Sequence, residues 1–226
     1  MIMKIMKVKD DYNMNYPEVR IKNAWLLYDA ASVHLHELWA KKDEHLATKD
    51  EVDTYVSAYK KAWEPYQDKV IRGMSDGMGL EFRQNIIDVG IAPWFIAFSD
   101  PMVIGITYMP DRFVEVLTHE IIHRLLTDNT QTAYDTPYAD HWKKLFGEEH
   151  SFNVLIHIPV HAILQYVFDD VLNEPQRTKN DRAKCSKWPD YDAAWQYVEK
   201  HGYQTIIAQL KENYAELAEK SATIKS

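Results

Sequence analysis

Phe113-Val114-Glu115-Val116-Leu117-Thr118-His119-Glu120-Ile121-Ile122-His123-Arg124-Leu125-Leu126 sets two histidines and a glutamate in an apolar run. Phe113, Val114, Leu117, Ile121, Leu125 and Leu126 recur at helical spacing, which predicts a well-buried helix over about 112–127. Pro110-Asp111 opens it, with Asp111 as the expected N-cap, and Asp128-Asn129-Thr130 ends it. Positions 119 and 123 then lie one turn apart on one face, where two imidazoles can hold one metal ion. Glu120 is rotated by about 100° from that face and can reach a water on the metal without displacing a ligand. Zinc acidifies such a water, and a glutamate takes its proton as the oxygen attacks a carbonyl. His119 and His123 are therefore the expected zinc ligands, and Glu120 the expected general base and then general acid.

Upstream, residues 84–108 change character. Ile86-Ile87-Asp88-Val89, Phe95-Ile96-Ala97-Phe98 and Met102-Val103-Ile104-Gly105-Ile106-Thr107 are short β-branched or aromatic runs punctuated by Pro93, Asp100 and Pro101. They read as a small sheet. A His-Glu-x-x-His helix preceded by a short strand resembles the zincin metallopeptidases, and the likeness covers residues 84–127 and extends towards 173. The resemblance implies a zinc peptidase acting on a peptide or protein substrate. In that family an edge strand before the helix pairs with the extended substrate, and Met102–Thr107 resembles that strand in position and character.

Catalytic zinc takes three protein ligands and leaves one position for water. Three readings of the third ligand compete. The first uses His157-Ile158-Pro159-Val160-His161, set in apolar surroundings where buried imidazoles need partners. In thermolysin-like zincins a ligand glutamate is followed four residues later by an aspartate that orients a zinc-bound histidine. His157 and His161 share that offset, although both are histidine here. His157 is the favoured ligand and His161 the orienting or transition-state-stabilising group, and the two roles can be exchanged. The second reading uses His141, because Asp140-His141-Trp142-Lys143-Lys144-Leu145-Phe146 is similar to the third-ligand helix of SprT-like zincins, without its usual glycine. The third uses an acid among Glu148, Glu149, Asp169, Asp170 and Glu174.

An alternative function follows from the same residues. His119, His123, His157 and His161 binding one zinc would close the site to water and leave a regulatory or structural zinc protein. A zinc hydrolase acting on a non-peptide amide is a further reading.

The remaining chain predicts an α+β fold, mostly helical, as one domain over 1–226. A helical hairpin is expected within 1–80, from helices at about 19–43 and 49–72, the second ended by Gly73, Gly77 and Gly79. The zincin-like core spans 84–175, with a short helix near 139–146 and a longer one at about 152–173 capped by Ser151. Pro159 kinks that helix or starts it. C-terminal helices fill 188–220, at about 190–201 and 204–219. His34, His36 and His45 read as structural. Tyr134, Tyr138 and Tyr166 are candidate oxyanion partners. Arg177, Lys179, Arg182, Lys184 and Lys187 read as a solvated basic face.

The formal net charge of −8 argues against a nucleic-acid partner. One cysteine, Cys185, allows no internal disulfide and has no base beside it in sequence. With no signal-peptide core and no run of eighteen apolar residues, a cytoplasmic protein without a membrane partner is the expectation. Zinc is the expected cofactor, and no phosphate-binding loop suggests an organic one.

Overall fold

Glu18-Val19-Arg20-Ile21-Lys22-Asn23 alternates charged with apolar residues. In the computed structural model it forms strand β1 (Glu18–Asn23), with Val19 and Ile21 buried. The structure describes residues 14–27, 29, 47–93, 96–130 and 138–224, with the side chains of 138–141 and 218–224 left out. β1 corrects the expectation of a helix from residue 19. Ile21, Ala24 and Trp25 do recur at helical spacing, but the two-residue alternation from 18 to 23 prevails. A short helical turn follows at 25–27. Most of the rest of that expected helix, with His34, His36 and His45, lies outside the described residues, as does most of 1–18.

β1 pairs in parallel with β2 (Ile86–Ala92). β2 pairs in parallel with β4 (Met102–Gly105), and β4 pairs antiparallel with β3 (Phe98–Ser99). The sheet order is β1-β2-β4-β3. β4 is therefore an interior strand: Val103 has Gly90 on one side and Phe98 on the other. That overturns the expectation of an open edge along Met102–Thr107. The edge on that side belongs to β3, which packs against the histidine-bearing helix.

α1 (Lys49–Trp63) starts at a capping box in which Thr48 accepts from the Glu51 amide and Glu51 accepts from Thr48. α2 (Gln67–Met78) follows after a turn at Pro65. The single helix expected over 49–72 is two, because proline offers no N–H to continue the ladder. Gly79, at φ 65°, ends α2. Gly73 and Gly77 do not end it. They face Val171 and Tyr166, where a Cβ on Gly73 would come within 2.5 Å of Val171 Cγ1 and one on Gly77 would strike the tyrosine ring.

α3 (Pro110–Asn129) begins with Pro110 in its first turn, after Met109 as N-cap. Asp111 is thus inside the first turn, not its cap, and binds Arg177. α4 (Tyr138–Phe146) precedes α5 (Phe152–Tyr166), whose Ser151 cap accepts from the Val154 amide. α5 runs through Pro159 and continues into a π-turn at Val167–Val171. The helical span Phe152–Val171 is long and apolar enough to cross a membrane, and 67% of its apolar window is buried inside the fold. His157, Pro159 and His161 interrupt this stretch, so it holds no unbroken run of eighteen apolar residues although its mean hydropathy is high. α6 (Pro175–Cys185), α7 (Pro189–His201) and α8 (Tyr203–Ile224) complete the chain.

Lys179, Lys184 and Lys187 are exposed, as expected of a solvated basic face, but the two arginines of α6 are not free cations. Arg177 is buried against Asp111, Glu174 and the Tyr66 hydroxyl, and Arg182 joins Asp192 to Glu199. The architecture is mostly helical α+β, as expected. α5 lies in its centre, packed by α3, α4, α7 and α8, and one buried apolar cluster runs from Val19 on β1 to Tyr214 on α8.

Gly73→Ala tests the α2 contact with the π-turn. Overpacking costs about 1–3 kcal/mol, and helix propensity returns about 1 kcal/mol. Urea unfolding should show a net loss of about 1 kcal/mol, recovered when Val171→Ala is added. An unaltered midpoint would mean the two segments can part freely.

Candidate metal centre

α3 and α5 cross in the core, and the crossing brings three imidazoles together. One nitrogen from each of His119, His123 and His157 lies within 4.8 Å of the other two. His119 and His123 are half-buried, and His157 is buried. The ring centroids are 4.9 Å apart for His119–His123, 5.3 Å for His119–His157 and 5.1 Å for His123–His157.

The nitrogen geometry suits a metal. Nε2 of His119 and Nε2 of His123 are 3.2 Å apart. Two nitrogens bound tetrahedrally to one zinc are separated by about 3.3 Å. His157 Nδ1 is 2.6 Å from the Asn153 carbonyl oxygen, so Nδ1 carries the proton and donates it. That bond leaves the Nε2 lone pair of His157 available, the orientation that metal-bound histidines take from their outer partners.

Burial is the main electrostatic effect. It holds the pKa of His119 and of His123 well below the ordinary value, helped by the neighbouring imidazoles, and it lowers His157 against the pull of its Asn153 bond. All three rings are therefore neutral at neutral pH, the form that ligates. Glu120 is also buried, and desolvation raises its carboxyl to about 8.

No family model, curated protein or solved structure matches this chain. The case for a site thus rests on its own residues.

His161, one turn beyond His157, does not join the three-nitrogen group. It is fully buried, its ring stacked on Trp195 at 4.6 Å between centroids. The candidate acids have other partners. Asp169 accepts from Thr178 and Gln165, Asp170 from Tyr203, and Glu174 from Arg177 and Tyr66. Glu149 is exposed beside His150, and Glu148 is exposed too. His141 is on α4, with its side chain outside the described residues.

Of the candidate tyrosines, Tyr166 faces Gly77 on α2, while Tyr134 and the Tyr138 side chain lie outside the described residues. The tyrosine that meets the histidines is Tyr191, which the sequence reading missed. Its ring is 4.1 Å from that of His157 and 6.2 Å from that of His119, and burial pushes its hydroxyl up to about 12. Asp190 accepts from Ser151 and Asn153, tying the start of α7 to the start of α5 and setting Tyr191 over His157. No local spacing announces this, because α5 and α7 meet only in the folded chain.

The Glu120 carboxyl gives a stability signature in metal-free protein. Its folded pKa is raised from 4.5 to about 8, so the native state holds a proton that the unfolded state has lost across that window. Stability therefore falls as pH rises from 4.5 to 8, by up to about 1.4 kcal/mol per pH unit. Glu120→Gln removes this penalty, and chemical denaturation should find the variant more stable than wild type at pH 8 and equal to it near pH 4. Equal stability at both would place the carboxyl in water.

Proposed function

We propose that this chain is a zinc-dependent hydrolase that cleaves peptide bonds. The observation that carries the reading is the convergence of three neutral imidazoles, His119, His123 and His157, with Glu120 beside two of them in sequence and buried. Three protein ligands leave a coordination position for water, as catalytic zinc sites do. His161 stands outside the three-nitrogen group, which speaks against the closed four-histidine alternative.

Zinc held there would supply Lewis acidity and a water of lowered pKa. The chain's own residues do the rest. Asn153 holds His157 in one tautomer through its carbonyl. Glu120 would take the water's proton and return it to the leaving amine, once a bound cation has lowered the pKa of its buried carboxyl and left it ionised. Tyr191, whose ring lies tilted against His157, is the tyrosine that meets the three histidines and would donate to a developing oxyanion.

A peptide is favoured over a small amide because β3 packs on α3 and its outer edge has no strand partner among the described residues. Phe98 and Ile96 are exposed there, 54% and 67%.

Glu120→Gln tests the proposal. Zinc content should be unchanged, and hydrolysis of casein or a peptide library should fall by about 10²- to 10⁴-fold. Chelation should abolish wild-type activity and added zinc restore it. Undiminished hydrolysis by Glu120→Gln would sink the proposal.

A further inference from the structure

His161 poses a separate question. It is fully buried, and neither ring nitrogen has a hydrogen-bond partner among the described residues. Leaving a buried polar atom unpaired costs about 1–3 kcal/mol, so such atoms call for a partner. One nitrogen of His161, Cys185 Sγ and a carboxylate oxygen of Asp181 all lie within 4.8 Å of one another. All three side chains are buried, on α5 and α6.

We propose that His161, Asp181 and Cys185 form a second metal site, a buried zinc site distinct from the three-histidine centre. The two ligand sets share no residue. Cys185 Sγ donates to Asp181 Oδ2 at 3.3 Å. A tetrahedral zinc holding one sulfur and one oxygen keeps them about 3.6 Å apart, so little movement is required. Thiolate with imidazole selects zinc over magnesium or calcium. Zinc with one thiolate and one carboxylate is neutral overall, which suits an interior without water. On binding, the Cys185 thiol proton leaves to solvent and sulfur takes the metal in its place.

The surroundings already hold the carboxylate in position. Asp181 Oδ1 accepts from Arg112 Nη1 at 2.9 Å, and Oδ2 accepts from Trp195 Nε1 at 3.2 Å. Trp195 also covers the His161 ring. All three ligand side chains are buried, and a fourth ligand from outside this trio would complete the tetrahedron of a zinc whose work is structural. It clips α6 to α5 one turn behind His157.

Cobalt(II) substitution tests this in the full chain. Cys185 is the only cysteine, so a thiolate-to-cobalt charge-transfer band can arise nowhere else. Metal-free protein loaded with cobalt should bind two ions per chain and show that near-ultraviolet band. Cys185→Ala should lose the band and one ion. His123→Ala should keep the band while losing the other ion. A wild-type chain that binds cobalt without the band overturns the proposal, as does a band that disappears in folded His123→Ala. The wild-type spectrum decides by itself, so a variant that folds poorly does not rescue the idea. Failure here leaves the three-histidine centre standing, because that centre needs no sulfur.

Discussion

Everything at the centre of this molecule depends on the crossing of α3 and α5, where imidazoles from two helices are buried against one another. Burial there disfavours charge on His119, His123 and His157. Without a metal, one Nε2 can carry the proton and donate to the other at 3.2 Å, which pairs His119 with His123. The same 3.2 Å is close to the separation that a zinc ion would impose on two ligand nitrogens.

The crossing is braced from outside by charge. Arg112 on α3 pairs with Glu115 and with Asp181 on α6, and Arg177 on α6 reaches back to Asp111 at the start of α3. Removing one partner of the buried Arg112–Asp181 pair leaves the other uncompensated, at a cost of about 3–5 kcal/mol, whereas Asp111 is exposed and its pair with Arg177 contributes less. The network therefore fixes how α3 meets α6 more than it adds net stability. Asp190 performs a similar service across α5 and α7, and through Asn153 it reaches the residue that orients His157.

Local patterns made much of this legible. The periodic apolar residues from Phe113 to Leu126 identified α3, and Ser151 and Gly202 marked the bounds of α5 and α7. The four-residue spacing of His119 and His123 made a shared nitrogen site readable before any fold was known. What escaped was non-local or contested between two periods. Ile21 fits a strand with Val19 and a helix with Ala24 and Trp25, and the pairing with β2 decides for the strand. The interior position of β4 depends on its pairing with β3, and the run Phe95-Ile96-Ala97-Phe98 shows a sheet segment in sequence but not which strand it covers. Arg177 looked solvated because its partners Asp111 and Tyr66 are more than sixty residues away. Tyr191 met His157 only through the packing of two helices.

The most direct measurement is the anomalous scattering of a crystal of the full chain grown with zinc and recorded at the zinc edge. The account predicts a peak within bonding distance of one nitrogen each of His119, His123 and His157, with a further position open to water beside Glu120. A zinc-loaded crystal with no peak among these three histidines, or with His161 as a fourth ligand there, would contradict it.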